Sequence, residues 1–150
     1  MYQGLYKDYA SHGYLVVALD HHDGSCIYAE AVGYKKRDFY DKEFRTSQCE
    51  QRSDEILDLF EEVADLPATV LEEPEAEVNM SELILGGHSF GGITQLLTAT
   101  RLTKAQLKAV WVFDPWMFPL HEDFSSGKLR ISVPTIIISS GSFNQELKGL

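Results

Sequence analysis

The residues best suited to chemistry lie at 83 to 92, LILGGHSFGG, where an apolar run leads straight into a serine held between glycines. Gly87-His88-Ser89-Phe90-Gly91 fits the pattern G-x-S-x-G. A strand that turns sharply into a helix at such a serine strains the backbone there, so Gly87 and Gly91, two residues away on either side, are expected to avoid a clash by lacking side chains. The hydroxyl then stands at a helix N-terminus, where the backbone N–H of Phe90 is placed to donate to a developing oxyanion. One such donor typically lowers a barrier by about 3 kcal/mol. The same five residues also describe a plain glycine turn with an exposed serine, so the rest of the chain must decide.

A serine becomes a useful nucleophile when a histidine takes its proton and an acid orients that histidine. Asp114 is the leading acid, because it directly follows the apolar run ending Val112-Phe113; its alternative role is a turn cap before Pro115. Asp20 also ends an apolar run but precedes the serine, against the order serine, acid, histidine common to this arrangement. The histidines are His12, His21, His22, His88 and His121, and only His121 follows Asp114. It follows by seven residues, too few for an intervening strand, which puts it in the same loop as the acid. His21, His22 and Asp23 are metal-ligand types, but neighbouring side chains on extended backbone point opposite ways. Loop packing is the expected role for them.

Elements must bring these groups together. Tyr2 to His12 reads as the tail of a helix closed by Gly13 in a left-handed cap, and Leu15 to Asp20 (LVVALD) as a strand buried on both faces. Residues 24 to 44 form a long excursion carrying Tyr28, Tyr34, Phe39 and Tyr40. From Arg45 to Ala64, Ile56, Leu57, Phe60, Val63 and Ala64 recur at helical spacing against an acidic remainder. Pro67 to Glu77 is a connector. Glu82 to Gly86 leads a strand into the serine turn, Gly91 to Thr100 suits a helix, and Lys108 to Phe113 and Thr135 to Ser139 are further strands. Strands alternating with helices predict a parallel sheet flanked on both faces, with reactive groups beyond the carboxyl ends of the strands.

At 150 residues the chain is one domain at most. Its 44% hydrophobic and 24% charged residues are ordinary for a globular protein. The formal charge of −10 is concentrated in residues 50 to 82, which hold twelve acids against one base, Arg52. That run is expected to be a solvated helix face plus loop, and it argues against nucleic acid as a partner, since phosphates would be repelled. Cys26 and Cys49 match neither a metal-ligand spacing nor a disulfide framework, and they leave the redox compartment open. The opening MYQGLYKDY lacks the basic start and apolar stretch of a signal peptide, and no apolar run approaches a membrane span. Whether the chain acts in the cytoplasm or outside the cell stays open.

GHSFGG at 87 to 92, FDPWMFPL at 113 to 120 and HHDGS at 21 to 25 together resemble the platelet-activating factor acetylhydrolases, the group VII phospholipases A2 of the α/β-hydrolase superfamily. Arg45, Gln48, Arg52 and the VPTIII run at 133 to 138 resemble further parts of that pattern, so the likeness covers about residues 5 to 143. It implies an α/β fold, with residues 1 to 150 as a single partial α/β-hydrolase domain. It also implies Ser89 as nucleophile and Asp114 as triad acid, in agreement with the turn geometry that makes the Phe90 N–H the oxyanion donor, and Trp116, Met117 and Phe118 beside the cleft, with Trp116 and Phe118 as substrate-binding residues. Family members carry the triad histidine on a loop after a further strand, in a His-x-x-Phe context, and take a second oxyanion donor from a Gly-rich loop before the first helix. Neither feature is found here; His22 stands where arginine is usual, and the connector at 67 to 81 is short. The expectation is therefore an internal portion of a larger hydrolase, lacking the first strands and the histidine-bearing segment and itself nearly inactive, with apolar sheet edges left exposed.

The activity implied by the resemblance is calcium-independent, cofactor-free and metal-free hydrolysis of a short or oxidised sn-2 acyl ester of a phospholipid. Family members work at lipid interfaces, yet this stretch has no clear membrane-binding helix, and anionic lipid would repel the acidic run. Another α/β-hydrolase activity on small soluble esters, such as a carboxylesterase or a polyester or dienelactone hydrolase, shares the same serine turn. A non-catalytic scaffold of hydrolase ancestry is the remaining alternative.

Overall fold

The computed structural model describes residues 2–25, 40–64 and 77–141. Its elements are α1 (Gln3–Ser11), α2 (Lys42–Ala64), a 3-10 turn (Met80–Glu82), β1 (Ile84–His88), α3 (Phe90–Thr100), β2 (Ala109–Phe113), α4 (His121–Ser125) and β3 (Thr135–Ile138). The three strands form a parallel sheet in the order β1-β2-β3. This is the predicted α/β class, a parallel sheet flanked by helices as in part of an α/β-hydrolase.

Alternation along the strands divides the sheet into two faces. Leu85, Val110 and Val112 are buried, and α3 packs against β1 and β2 through its own buried Ile93, Leu96 and Leu97. On the opposite face Trp111 lies over Gly86, where an added Cβ would clash with the indole. Tyr9 of α1 stacks on that indole at 5.9 Å, so α1 covers this side. The helix ends as expected: Gly13 has φ +85°, its N–H donates to the Ala10 carbonyl, and the Tyr14 N–H reaches the Tyr9 carbonyl, the paired bonds of a Schellman cap.

Helix α2 begins at Lys42, three residues before the predicted start, because the Asp41 carboxylate caps it by accepting from the Phe44 N–H at 3.0 Å. Its C-terminal half buries Ile56 and Val63 as the periodicity predicts, while its N-terminal half buries Gln48, Cys49 and Ser53. Small and polar residues there allow a close approach to α3, where Thr98 Oγ1 donates to Ser53 Oγ at 3.1 Å. A hydrophobic pattern cannot register such an interface.

The segment Leu15 to Asp20 departs from expectation. It joins no ladder, and Leu15 and Val17 are 44% and 47% exposed rather than buried on both faces. A strand gains its stability from a paired neighbour and a covered face, and among the described residues this segment has no paired strand on either side. Most of the excursion from 24 to 44, the connector from 67 to 77 except Glu77, and Cys26 lie outside the described residues.

Candidate active site

Strand β1 and helix α3 meet at Ser89, the N-cap of α3, with φ 53° and ψ −119°. Ser89 and Asp114, at φ 43°, are the positive-φ non-glycine residues among those described. Both sit one residue past a strand end, and His88 pairs with Phe113 in the parallel ladder, so the two strained residues crown adjacent strands at the same level. Backbone hydrogen bonds tie them down. The Ser89 N–H donates to the Phe113 carbonyl at 3.0 Å, and the Ser89 carbonyl accepts from Ile93 and Trp116 at 3.2 and 3.0 Å. The Asp114 N–H donates to the Ile138 carbonyl at 2.9 Å, and its carboxylate accepts from the Ser140 N–H at 2.5 Å. The carboxyl is thus held from the segment just past β3, a partner that no motif announced.

The glycines divide differently from the expectation. A Cβ on Gly87 would fall 2.6 Å from the Gly91 carbonyl oxygen, so the turn closes only with glycine there. A Cβ on Gly91 would meet nothing within 4 Å. The second tight position is Gly92, whose Cβ would lie 3.1 Å from Pro115 Cα. The prediction for Gly91 is therefore corrected: the helix turns its second residue outward and its third toward the strand-end proline.

An aromatic wall follows the serine. Phe90 meets Trp116 edge-on at 5.8 Å, and Trp116 stacks on Phe118 at 5.3 Å. Tyr40 packs edge-on against both Trp116 and Phe118. Trp116 is buried, Phe118 half-buried, and Met117 belongs to the core. The Phe90 ring also lies beneath the Arg52 guanidinium, at 4.6 Å from the ring centroid.

No histidine completes the pair: all five are described, and none hydrogen-bonds Ser89 or Asp114. His121 opens α4 instead of sharing an irregular loop with Asp114. His88 is exposed beside Tyr2, with the rings 5.8 Å apart. Asp20 is exposed. His21 and Asp23 pack the 21–25 loop onto α2: His21 Nδ1 lies 2.7 Å from Glu55 Oε2, and Arg52 Nε donates to Asp23 Oδ2 at 2.6 Å. Among the described residues no group of three or more metal-ligating side chains gathers.

Burial pushes the Asp23 carboxyl upward, but hydrogen bonds from Arg52 and Ser25 together with the Arg52 charge outweigh it, leaving the group below its ordinary value. Burial lowers the affinity of His21 for a proton, and the Arg52 charge adds to that, against the opposing pull of Glu55 and Asp23. Cys49 is pushed up to about 12 by burial despite a hydrogen bond with Thr94, so it is an inert core thiol.

Comparison with known proteins bears on this arrangement. A family described as platelet-activating factor acetylhydrolase, isoform II, matches residues 1–148. The platelet-activating factor acetylhydrolase of Bos taurus is 29% identical over 171 residues, covering 95% of this chain and 37% of the relative. Those of Canis lupus familiaris and Cavia porcellus are each 28% identical, with the same coverages. The chain thus spans little more than a third of the length of the curated relatives it matches. A match over nearly every residue, and over the strand ends that carry Ser89 and Asp114, makes this chain a member of the platelet-activating factor acetylhydrolase, isoform II, family.

Proposed function

We propose that residues 1 to 150 are part of a single α/β-hydrolase domain of a serine esterase, one that removes a short or oxidised acyl group from the sn-2 position of a phospholipid without calcium. In this reading Ser89 attacks the ester carbonyl and the Phe90 N–H donates to the tetrahedral oxyanion. Asp114 orients the histidine that takes the serine proton, and that histidine comes from sequence beyond these residues. Trp116 and Phe118 line the approach of the acyl group. The observation that carries the proposal is the pair of strained residues, Ser89 and Asp114, at the ends of neighbouring parallel strands. Strain of about 1–3 kcal/mol at each is characteristic of positions where geometry serves a site. Membership of a platelet-activating factor acetylhydrolase family supports a phospholipid ester as the substrate class.

The test is hydrolysis by the intact protein of a short-chain sn-2 phospholipid and of a simple aryl ester. We expect Ser89→Ala to lower kcat on the phospholipid by about 10⁴-fold or more. Equal activity of Ser89→Ala and wild type would end the reading. Preference for the aryl ester would favour a general carboxylesterase instead. Residues 1 to 150 alone are expected to turn over ester very slowly, because none of their histidines hydrogen-bonds Ser89.

A further inference from the structure

We propose that Arg52 is a positioning residue for the oxyanion donor, acting through the ring of Phe90; this rests on the acyl-transfer reading of Ser89. The Arg52 guanidinium does three things at once. Its Nε donates to Asp23 Oδ2 at 2.6 Å, its Nη2 donates to Ser25 Oγ at 2.5 Å, and its central carbon Cζ lies over the Phe90 ring, 4.6 Å from the centroid. The two donated bonds hold the guanidinium in one place, and the guanidinium in turn limits where the ring can rest. Trp116, two residues beyond Asp114, meets the same ring edge-on at 5.8 Å, and Arg45, also on α2, lies over it at 5.8 Å from the centroid. Phe90 is therefore gripped between α2 and the segment after β2, and its backbone N–H is the donor assigned to the oxyanion.

The surroundings of Arg52 are built for a fixed orientation. The Asp23 side chain is fully buried, the Arg52 side chain is 12% exposed, and Ser25 N–H and Gln48 Nε2 donate to the Asp23 carboxylate and carbonyl at 3.0 and 3.3 Å. A buried ion pair contributes little net stability, because desolvation offsets most of its attraction. What a fully hydrogen-bonded pair does supply is one geometry. Lysine cannot reproduce it: an ammonium reaches Asp23 as a point charge but offers neither the second fork donor nor a face for the ring. In contact with both a buried anion and an aromatic ring, the guanidinium makes the ring contact in low dielectric, where a cation–π interaction is strongest.

The test is a double-mutant cycle on the intact protein with Arg52→Lys, Phe90→Leu and the pair, measuring kcat and KM on a short-chain ester beside Ser89→Ala. Phe90→Leu keeps the backbone donor and removes the ring. We expect Arg52→Lys to lower kcat about tenfold or more with KM within about twofold, and to change kcat by less than about twofold in the Phe90→Leu background. An equal fold-loss in both backgrounds, an unchanged kcat, or a change confined to KM would overturn the proposal, since a role in folding or binding gives those patterns. If Arg52→Lys yields no folded protein, the neutral pair Asp23→Asn with Arg52→Gln takes its place in the cycle under the same criteria. Full activity in Ser89→Ala would instead remove the acyl-transfer reading, and this proposal with it.

Discussion

Ser89 and Asp114 occupy backbone conformations that most side chains avoid, and the structure shows what holds them there: hydrogen bonds to the Phe113 and Ile138 carbonyls and from the Ile93, Trp116 and Ser140 N–H groups. The glycines beside the serine have separable duties. Gly87→Ala would drive a Cβ into the first turn of α3 and is expected to destabilise by ~1–3 kcal/mol, as overpacking does. Gly91→Ala meets open space within a helix and is expected to be neutral or stabilising by up to ~1 kcal/mol. Chemical denaturation of the two variants checks this, and equal losses would contradict the close approach at Gly87. The motif singles out both glycines alike, because a pattern records residue type and not which way a Cα–H points.

Helix α2 works as a frame for the loop at 21 to 25. Gln48, Arg52 and Glu55 rise along one stripe of the helix and bind Asp23, Ser25, His21 and the His22 N–H. The sequence shows the helix but not this use of it, since partners 25 to 34 positions apart leave no periodic trace. The two titrating anchors have different pH windows. His21 has a lowered pKa in the fold, so its contribution is fully present above its unfolded value of about 6.5 and is lost as pH falls through the lower folded value. Asp23 is likewise lowered, so its contribution fades only below the unfolded carboxylate value of about 3.9. The melting temperature is therefore expected to fall between pH 7 and pH 5, and His21→Gln to flatten that slope while leaving the loss below pH 4. A slope unchanged in His21→Gln would assign it to other groups.

At the scale of the molecule, the core lies between the sheet and the α2–α3 layer, while aliphatic side chains elsewhere meet solvent. Ile136 and Ile138 of β3 are 62% and 55% exposed, and Leu15 and Val17 are exposed too. Among the described residues β3 ends the sheet, and a parallel edge strand with bare aliphatic residues templates association. Residues 1 to 150 are therefore expected to self-associate at micromolar concentration, and Ile136→Thr with Ile138→Lys to raise the monomeric fraction severalfold by analytical ultracentrifugation. Equal sedimentation of wild type and variant would show that β3 is not the sticky edge. Among the described residues no helix is long and apolar enough to cross a membrane.

By itself the sequence determined the alternation of strands and helices, the serine turn and the acid after β2, because each is written in neighbouring residues: an apolar run, a glycine two positions away, a charge after a strand. It misjudged Leu15 to Asp20, since an apolar run reports a strand's composition and says nothing of whether a neighbour pairs with it. Only the tertiary structure decided that Ser140 holds Asp114, that Arg52 lies over Phe90, and that no histidine hydrogen-bonds the serine. Those are contacts between distant parts of the chain, fixed by strand register and by the packing of α2 on α3, and no local pattern encodes them.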